Sequence, residues 1–424
     1  MQKKVLILAF AVVALVLAGV ALAAYLRATD TPDAGLDTEL AGVSVMTATE
    51  ELPTTEEQPT TEPVEQPEPE SNEGPCWLSF GGNPQRTLSR ENIDLGRPTR
   101  ALWGRAIGFM EYPPTFCDGT LYVNNEKGFT AAIDADTGEL IWRRRVARLM
   151  ASSPAIAGPR LVVSSHDGIV SGLNRANGKV LWRVRTPGKV ESSPVVVDNT
   201  AFFGSTDGRL FAVNAASGAV RWAYDTGGRI NASPSIWGNR VCISTYAGSV
   251  LCLRRSDGRE LWTTYVKRDL LRYESFYASA STDGQRLYTT SRAGKIVALN
   301  IRSGSIVWTH SMGTTGYATP AIADGRIFVG GFDSQLRALR ANNGRVLWSR
   351  NVGGKVLSPA LVVGNLVFVS TLNGRTVGLR TADGKIVWRH KLGAYSPGIA
   401  TSKRYYFSLN GFLAAYKGKF SPRN

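Results

Sequence analysis

The clearest order along the chain is an alternation of short apolar runs and turns. In residues 151–182 the small-residue run SSPAIAG is followed by RLVVSSH, where apolar and polar positions alternate, then by IVSGLN, then by KVLW. Short runs of this kind, bounded by turn residues, read as strands. Asp167-Gly168 between the second and third runs is a hairpin signal. The same turn recurs at Thr206-Asp207-Gly208, Ala247-Gly248, Ala293-Gly294, Asn373-Gly374 and Asn410-Gly411. No helical periodicity competes, so each unit is predicted to be four antiparallel strands.

The unit repeats at a fixed period. Trp103, Trp142, Trp182, Trp222, Trp262, Trp308, Trp348 and Trp388 stand 39, 40, 40, 40, 46, 40 and 40 residues apart. A period near 40 marks a repeat architecture. From Trp142 onward each tryptophan lies four residues after a glycine, from Gly138 to Gly384, and a turn former such as Thr137 or Asn177 precedes that glycine. Four-stranded units of this kind close around a channel as a β-propeller. The last unit, YSPGIATSKRYYFSLNGFLAAYKG, supplies three strands but no terminal tryptophan, and Trp103 in RALWGR has no three strands before it. The two ends therefore complete each other. The expected fold is all-β, an eight-bladed propeller over 76–424 whose eighth blade is closed by the N-terminal strand, which leaves the ring no open edge. Each tryptophan is expected to fill the groove to the next blade.

Upstream of the repeats the pattern changes twice. After the short stub 1–4, Val5–Leu26 is 22 residues without a charge, preceded by Lys3 and Lys4. It is long enough to span a bilayer as a signal-anchor helix. The lysines before it and the absence of basic residues after Arg27 place the N-terminus in the cytoplasm and the body outside the plasma membrane. Ala21-Leu22-Ala23 also fits a small-residue cleavage site, and cleavage after Ala23 would make the body a secreted protein. Residues 27–75 follow as a linker rich in Glu, Pro and Thr, which lacks the apolar content to order itself and favours an extended spacer.

Charge sharpens this division. The whole chain carries formal charge +15, but residues 28–75 hold thirteen acids and no Lys or Arg, so the body stands near +25. Such a field attracts anionic partners and fades with salt. The acidic linker is itself a candidate competitor for that surface. Nucleic acid is electrostatically admissible but is set aside for a body outside the cytoplasm.

The chemistry is sparse. There is no G-x-S-x-G, no P-loop and no C-x-x-C, and His166, His310 and His390 stand apart and read as exposed loop or strand residues. All four cysteines lie beyond the apolar span. Cys242 and Cys252 flank one hairpin nearly symmetrically, so they are disulfide candidates, and Cys76 with Cys117 would then pin the lead-in segment to the first blade. The other reading is four buried thiols, which an oxidising compartment disfavours.

The run D-x-D-T-G-x-x-x-W at Asp134–Trp142 and its near copies resemble the tryptophan-docking repeat of the pyrroloquinoline-quinone (PQQ)-like propellers. The lead-in CWLSFGGNPQR is similar to the segment that precedes the ring in that family. The resemblance covers about 76–424. It implies the propeller fold and leaves two functions open, because the family holds quinoprotein dehydrogenases and also non-catalytic scaffolds, such as the propeller subunit of the outer-membrane β-barrel assembly machinery. A quinoprotein dehydrogenase of the family uses an adjacent cysteine pair, a calcium held by Glu and Asn, and an Asp base. This chain has no adjacent cysteines and no assignable base, and its minimal blades leave no long inserts for a substrate pocket.

Three residues before the Pro-like position of each first strand stand Glu111, Ala151, Glu191, Asn231, Tyr277, Tyr317, Val356 and Ala394, the expected channel mouth. Of these, Glu111, Glu191 and Asn231 are candidate calcium ligands; the alternative is the polar lining of a water-filled channel. In a propeller of this strand order the second turns share a face with the linkers between blades. That face carries Arg143, Arg144, Arg145, Arg148, Lys189, Arg229, Lys267, Arg268, Arg272 and Lys391. The longest repeat adds six residues around YVKRDLLRYESF, which mixes Lys267, Arg268 and Arg272 with Leu270, Leu271, Tyr273 and Phe276. Arg and aromatic side chains are enriched at interface hot spots; a solvated basic rim is the plainer alternative. The sequence thus points to a non-catalytic, membrane-anchored, extracytoplasmic propeller that docks an envelope protein or anionic polymer on its basic face and needs no cofactor. The competing reading is a PQQ- or calcium-binding oxidoreductase or sensor.

Overall fold

The structure, a computed structural model, describes residues 76–393 and 395–419. The apolar segment Val5–Leu26, the acidic linker and Ala394 lie outside these residues, and among the described residues no helix is long and apolar enough to cross a membrane.

The repeats form eight antiparallel sheets. In the first blade Thr115–Cys117, Thr120–Asn124, Phe129–Asp134 and Leu140–Arg145 follow one another as neighbours, and six further blades repeat this meander. The first strands of neighbouring blades touch one another, so they line the central channel and the tryptophan strands lie outermost. The eighth blade takes Gly398–Ala400, Arg404–Leu409 and Phe412–Gly418 from the end of the chain and Pro98–Ala106 from its beginning.

Two local devices place each tryptophan. In every blade the ladder slips by one residue just ahead of it, as between Ala132↔Trp142 and Ile133↔Leu140, so Ile141 is extra and half-exposed. The equivalent slip occurs at Leu102, Leu181, Arg221, Leu261, Val307, Leu347 and Val387. A bulge re-aims the side chain that follows it. The ring then lies on the glycine of the next blade's turn: a Cβ on Gly138, whose φ is +76°, would sit 2.5 Å from the Trp103 ring. The indole N–H groups of the seven tryptophans from Trp103 to Trp348 also donate across the seam, Trp103 to the Ala135 carbonyl at 3.1 Å and Trp182 to Ala215 at 3.0 Å. Trp388 differs. It meets the composite blade, which offers no such glycine, and packs instead on Phe407 with ring centroids 5.2 Å apart.

The lead-in segment is more than a linker. Residues 77–90 run around the inner edges of the first strands. The backbone N–H groups of Ile156, Ile236, Thr282, Ile322 and Val362 donate in turn to the carbonyls of Leu78, Pro84, Gln85, Thr87 and Leu88, and Trp77 exchanges two bonds with Phe116. Ser89–Arg90 adds a parallel fifth strand to the seventh blade. The strap therefore satisfies edge donors that a bare channel would leave to water. At its centre Arg86 is fully buried and donates to the carbonyls of Phe80, Ser193 and Pro234. Gly81, at φ +88°, must be glycine there, because a Cβ would stand 2.7 Å from the Arg86 Cα. The strap thus floors the channel at this end. Cys76 is joined to Cys117, which fastens the strap to the first blade, and Cys242 is joined to Cys252 across a hairpin.

Candidate functional site: the channel mouth and the fifth-blade finger

Above the strap a step of hydroxyls fixes how each blade enters the channel. The Ser153 N–H donates to Ser193 Oγ at 3.0 Å, Ser193 N–H to Ser233 Oγ at 2.8 Å, and Ser233 N–H to Ser279 Oγ at 2.8 Å. The residues two positions earlier approach the mouth. There Glu111, Tyr277 and Tyr317 join Phe80, Tyr112, Phe332, Leu357 and Tyr395 around a pocket of about 370 Å³. Phe80 of the strap packs edge-on against Tyr112 with centroids 5.3 Å apart. Counting from proline misplaced the seventh blade by one residue: Val356 is fully buried, packed on Gly330 as Ile230 is on Gly204, and Leu357 takes the mouth position. The mouth is correspondingly aromatic where a polar lining was expected.

The two acids of the mouth are treated unequally. Glu191 is compensated, with Arg229 at 3.9 Å and His166 at 3.8 Å, and it accepts a hydrogen bond from the Asn231 amide nitrogen. His166 is therefore part of the mouth rather than the bare loop residue the sequence suggested, and burial pulls its pKa down against the opposing pull of Glu191. Glu111 has no hydrogen-bond or ion-pair partner among the described residues. Burial, and next the field of Glu191, push its carboxyl up to about 7. Tyr112 and Tyr277 are held in the phenol form, first by burial.

Cations sit on the outer rings. Arg229 lies 5.2 Å above the Tyr246 ring, and Arg292 lies 5.9 Å above Tyr317 while donating to its hydroxyl at 3.3 Å. Lys355 lies 5.5 Å above Phe332. These are cation–π distances.

As arranged, this site does not fit calcium or a quinone. The Asn231 amide oxygen, which would be a ligand, already accepts from Arg229 Nε at 3.0 Å, and hard-cation sites need six or more oxygens. A quinone bearing several carboxylates would bring them against Glu111 and Glu191. Neither disulfide borders the pocket: Cys242–Cys252 is buried between the fourth and fifth blades, and Cys76–Cys117 holds the strap.

The residues expected to bind a partner do not form one patch. Arg143, Arg144 and Arg145 lie on the outer strand of the first blade, where Arg143 stacks 3.8 Å above Phe129. Lys267, Arg268, Arg272 and Tyr273 lie between the fourth and fifth blades, across the ring. Phe276 leaves the list altogether, since it is fully buried in the seam there.

The rest of that insert is an ordered finger. Lys267 and Tyr273 form a β-bridge, and Asp269 caps the tip by accepting from the N–H groups of Leu271 and Arg272, each at 3.0 Å. At its base Glu274, 2% exposed in its side chain, pairs with Lys295 at 3.1 Å, and the same ammonium donates to the Lys267 carbonyl at 2.7 Å. Tyr265 and Tyr273 pack with centroids 5.2 Å apart. Leu270 and Leu271 at the tip are 97% and 94% exposed. Two leucines displayed on a locked hairpin are an unusual expense in water, which is what a preorganised contact looks like.

The profile of a family described as "Outer membrane protein assembly factor BamB" matches residues 91–271 and again 248–404. Among solved structures the chain is similar to BamB from Moraxella catarrhalis at 16% identity and TM-score 0.64, covering 77% of this chain and 99% of that one. A europium-containing methanol dehydrogenase aligns at 14% identity and TM-score 0.69, covering 79% and 88%. The computationally designed Ika8 protein aligns at 13% identity and TM-score 0.64, covering 76% and 100%. The same ring thus serves an assembly factor, an oxidoreductase and a designed chain, so these likenesses bear on fold. No curated protein sequence matches the chain.

Proposed function

The chain belongs to the family of the outer membrane protein assembly factor BamB, and from that premise we propose that it is a non-catalytic docking scaffold of the cell envelope. Val5–Leu26 anchors it in the plasma membrane, the acidic linker spaces it off the surface, and the mouth face receives a protein partner. The observation that carries this reading is the finger, whose Leu270 and Leu271 are almost fully exposed on a locked base. Lys267, Arg268 and Arg272 around the leucines supply steering toward an acidic rim on the partner. Against quinone-dependent catalysis stand the occupied Asn231 oxygen and disulfides remote from the mouth.

Site-specific photocrosslinking in intact cells tests it. A photoreactive residue replacing Leu270 on the full chain should capture one discrete envelope protein. The same residue at Asn177, on the opposite face of the ring, should not. Equal capture from both faces, or none from Leu270, would remove the finger from the interface.

A further inference from the structure

The mouth pocket has a charge it does not balance. Glu111 is largely buried and without a partner among the described residues, within the field of a second carboxylate, Glu191, whose own counter-charges are already engaged. Around Glu111 the walls are rings: Phe80, Tyr112, Tyr277, Tyr317 and Tyr395. Tyr277 and Tyr317 stand edge to face with centroids 5.6 Å apart, so they turn a face and an edge toward different sides of the site. A carboxylate among aromatic faces is complementary to an organic cation, which gains from the ring quadrupoles and from the acid together. The molecule applies the same chemistry at the rim, where Arg229, Arg292 and Lys355 already cover Tyr246, Tyr317 and Phe332. A divalent metal is the poorer occupant, because Glu111 is the one carboxylate lining the pocket among the described residues, the other side-chain oxygens there are neutral hydroxyls, and the Asn231 oxygen already accepts from Arg229.

We infer that the pocket above Phe80 is a binding site for an alkylammonium group, held by Glu111 among the rings of Tyr112, Tyr277 and Tyr317. Its volume of about 370 Å³ accommodates a lysine-sized head and stem. The group arrives on a peptide side chain or as a free amine, and the two share this recognition. The site rests on the pocket alone and stands or falls independently of what the finger contacts.

Ligand-observed NMR on the full chain in detergent tests it with four small molecules: Nα-acetyl-lysine methylamide, its neutral isostere Nα-acetyl-norleucine methylamide, n-butylammonium and tetramethylammonium. The ammonium compounds should bind, and the norleucine compound should bind at least about tenfold more weakly. Glu111→Gln should weaken the ammonium compounds by about tenfold while the thermal midpoint stays level or rises. Tyr277→Leu should weaken them several-fold. Tighter binding of the lysine compound than of n-butylammonium would assign the source as a peptide, and the reverse order a free amine. Equal binding of lysine and norleucine compounds, no binding of any ammonium compound, or indifference to Glu111→Gln would overturn the inference. So would calcium that displaces the ammonium compounds and depends on Glu111.

Discussion

At the floor of the channel Arg86 is wholly buried, yet three backbone carbonyls take its donors, and burial lowers its pKa only to about 9. At the mouth Glu111 is less buried, has no partner among the described residues, and is pushed up to about 7. The same first strands frame both ends. Floor charges are satisfied because they hold the ring together, whereas the mouth keeps an unsatisfied one, as binding sites do. Stability and recognition have been assigned to opposite ends of one channel.

That contrast can be broken at either end. Arg86→Met leaves three carbonyls without a donor and should cost about 4 kcal/mol in chemical unfolding, the largest effect expected. Removing the Cys76–Cys117 bridge by a double Cys→Ser change opens a loop with a sequence separation of 41, and should cost about 3 kcal/mol by the same measurement. Glu111→Gln should have the opposite sign. The folded carboxyl keeps its proton to about pH 7, whereas the unfolded one releases it near 4.5, so the wild-type chain loses stability as pH rises through that window. Glu191, His166, Arg229, Tyr112 and Tyr277 titrate or carry charge near it and are common to both proteins. Stability curves at pH 5 and pH 8 should therefore show the variant gaining about 2 kcal/mol at the higher pH only. Smallest of all, Leu270→Ser with Leu271→Ser should shift unfolding by less than about 0.5 kcal/mol, because water already covers both side chains. A large loss there would mean that the finger belongs to the fold.

The ring was legible because it is written in covalent spacing: tryptophans at a period near 40 with a turn glycine four residues earlier leave few other arrangements. The bulge at Ile141 and its equivalents was not, since an extra residue in a strand changes no composition and appears only as a slipped ladder. The strap was missed for a related reason. Trp77, Phe80, Leu88 and Leu95 are all buried, but they follow no period, because they answer to successive blades and not to one sheet. At the mouth, counting found Glu111, Glu191, Asn231, Tyr277 and Tyr317 and failed at Leu357, because Pro359 sits one position earlier in its blade than Pro234 does in the fourth while the spacing of the repeat is unchanged. Phe276 was misassigned because a hydrophobic residue in an insert carries the same letter whether it points out, as Leu270 does, or in.

The composite blade has a consequence for the order of events as the chain is made. Thr99 bonds to Lys417, 318 positions later, so the first strand of the ring has no partner until the seven intervening blades and the other strands of its own have been synthesised. Until then the protein is an open arc with a bare edge at each end and a strap that has nothing to floor. Pairing over such a separation is slow, and the waiting edges invite other strands. Such an arc must therefore be shielded until it closes, and a premature stop even a few residues before Tyr416 would release an arc instead of a ring.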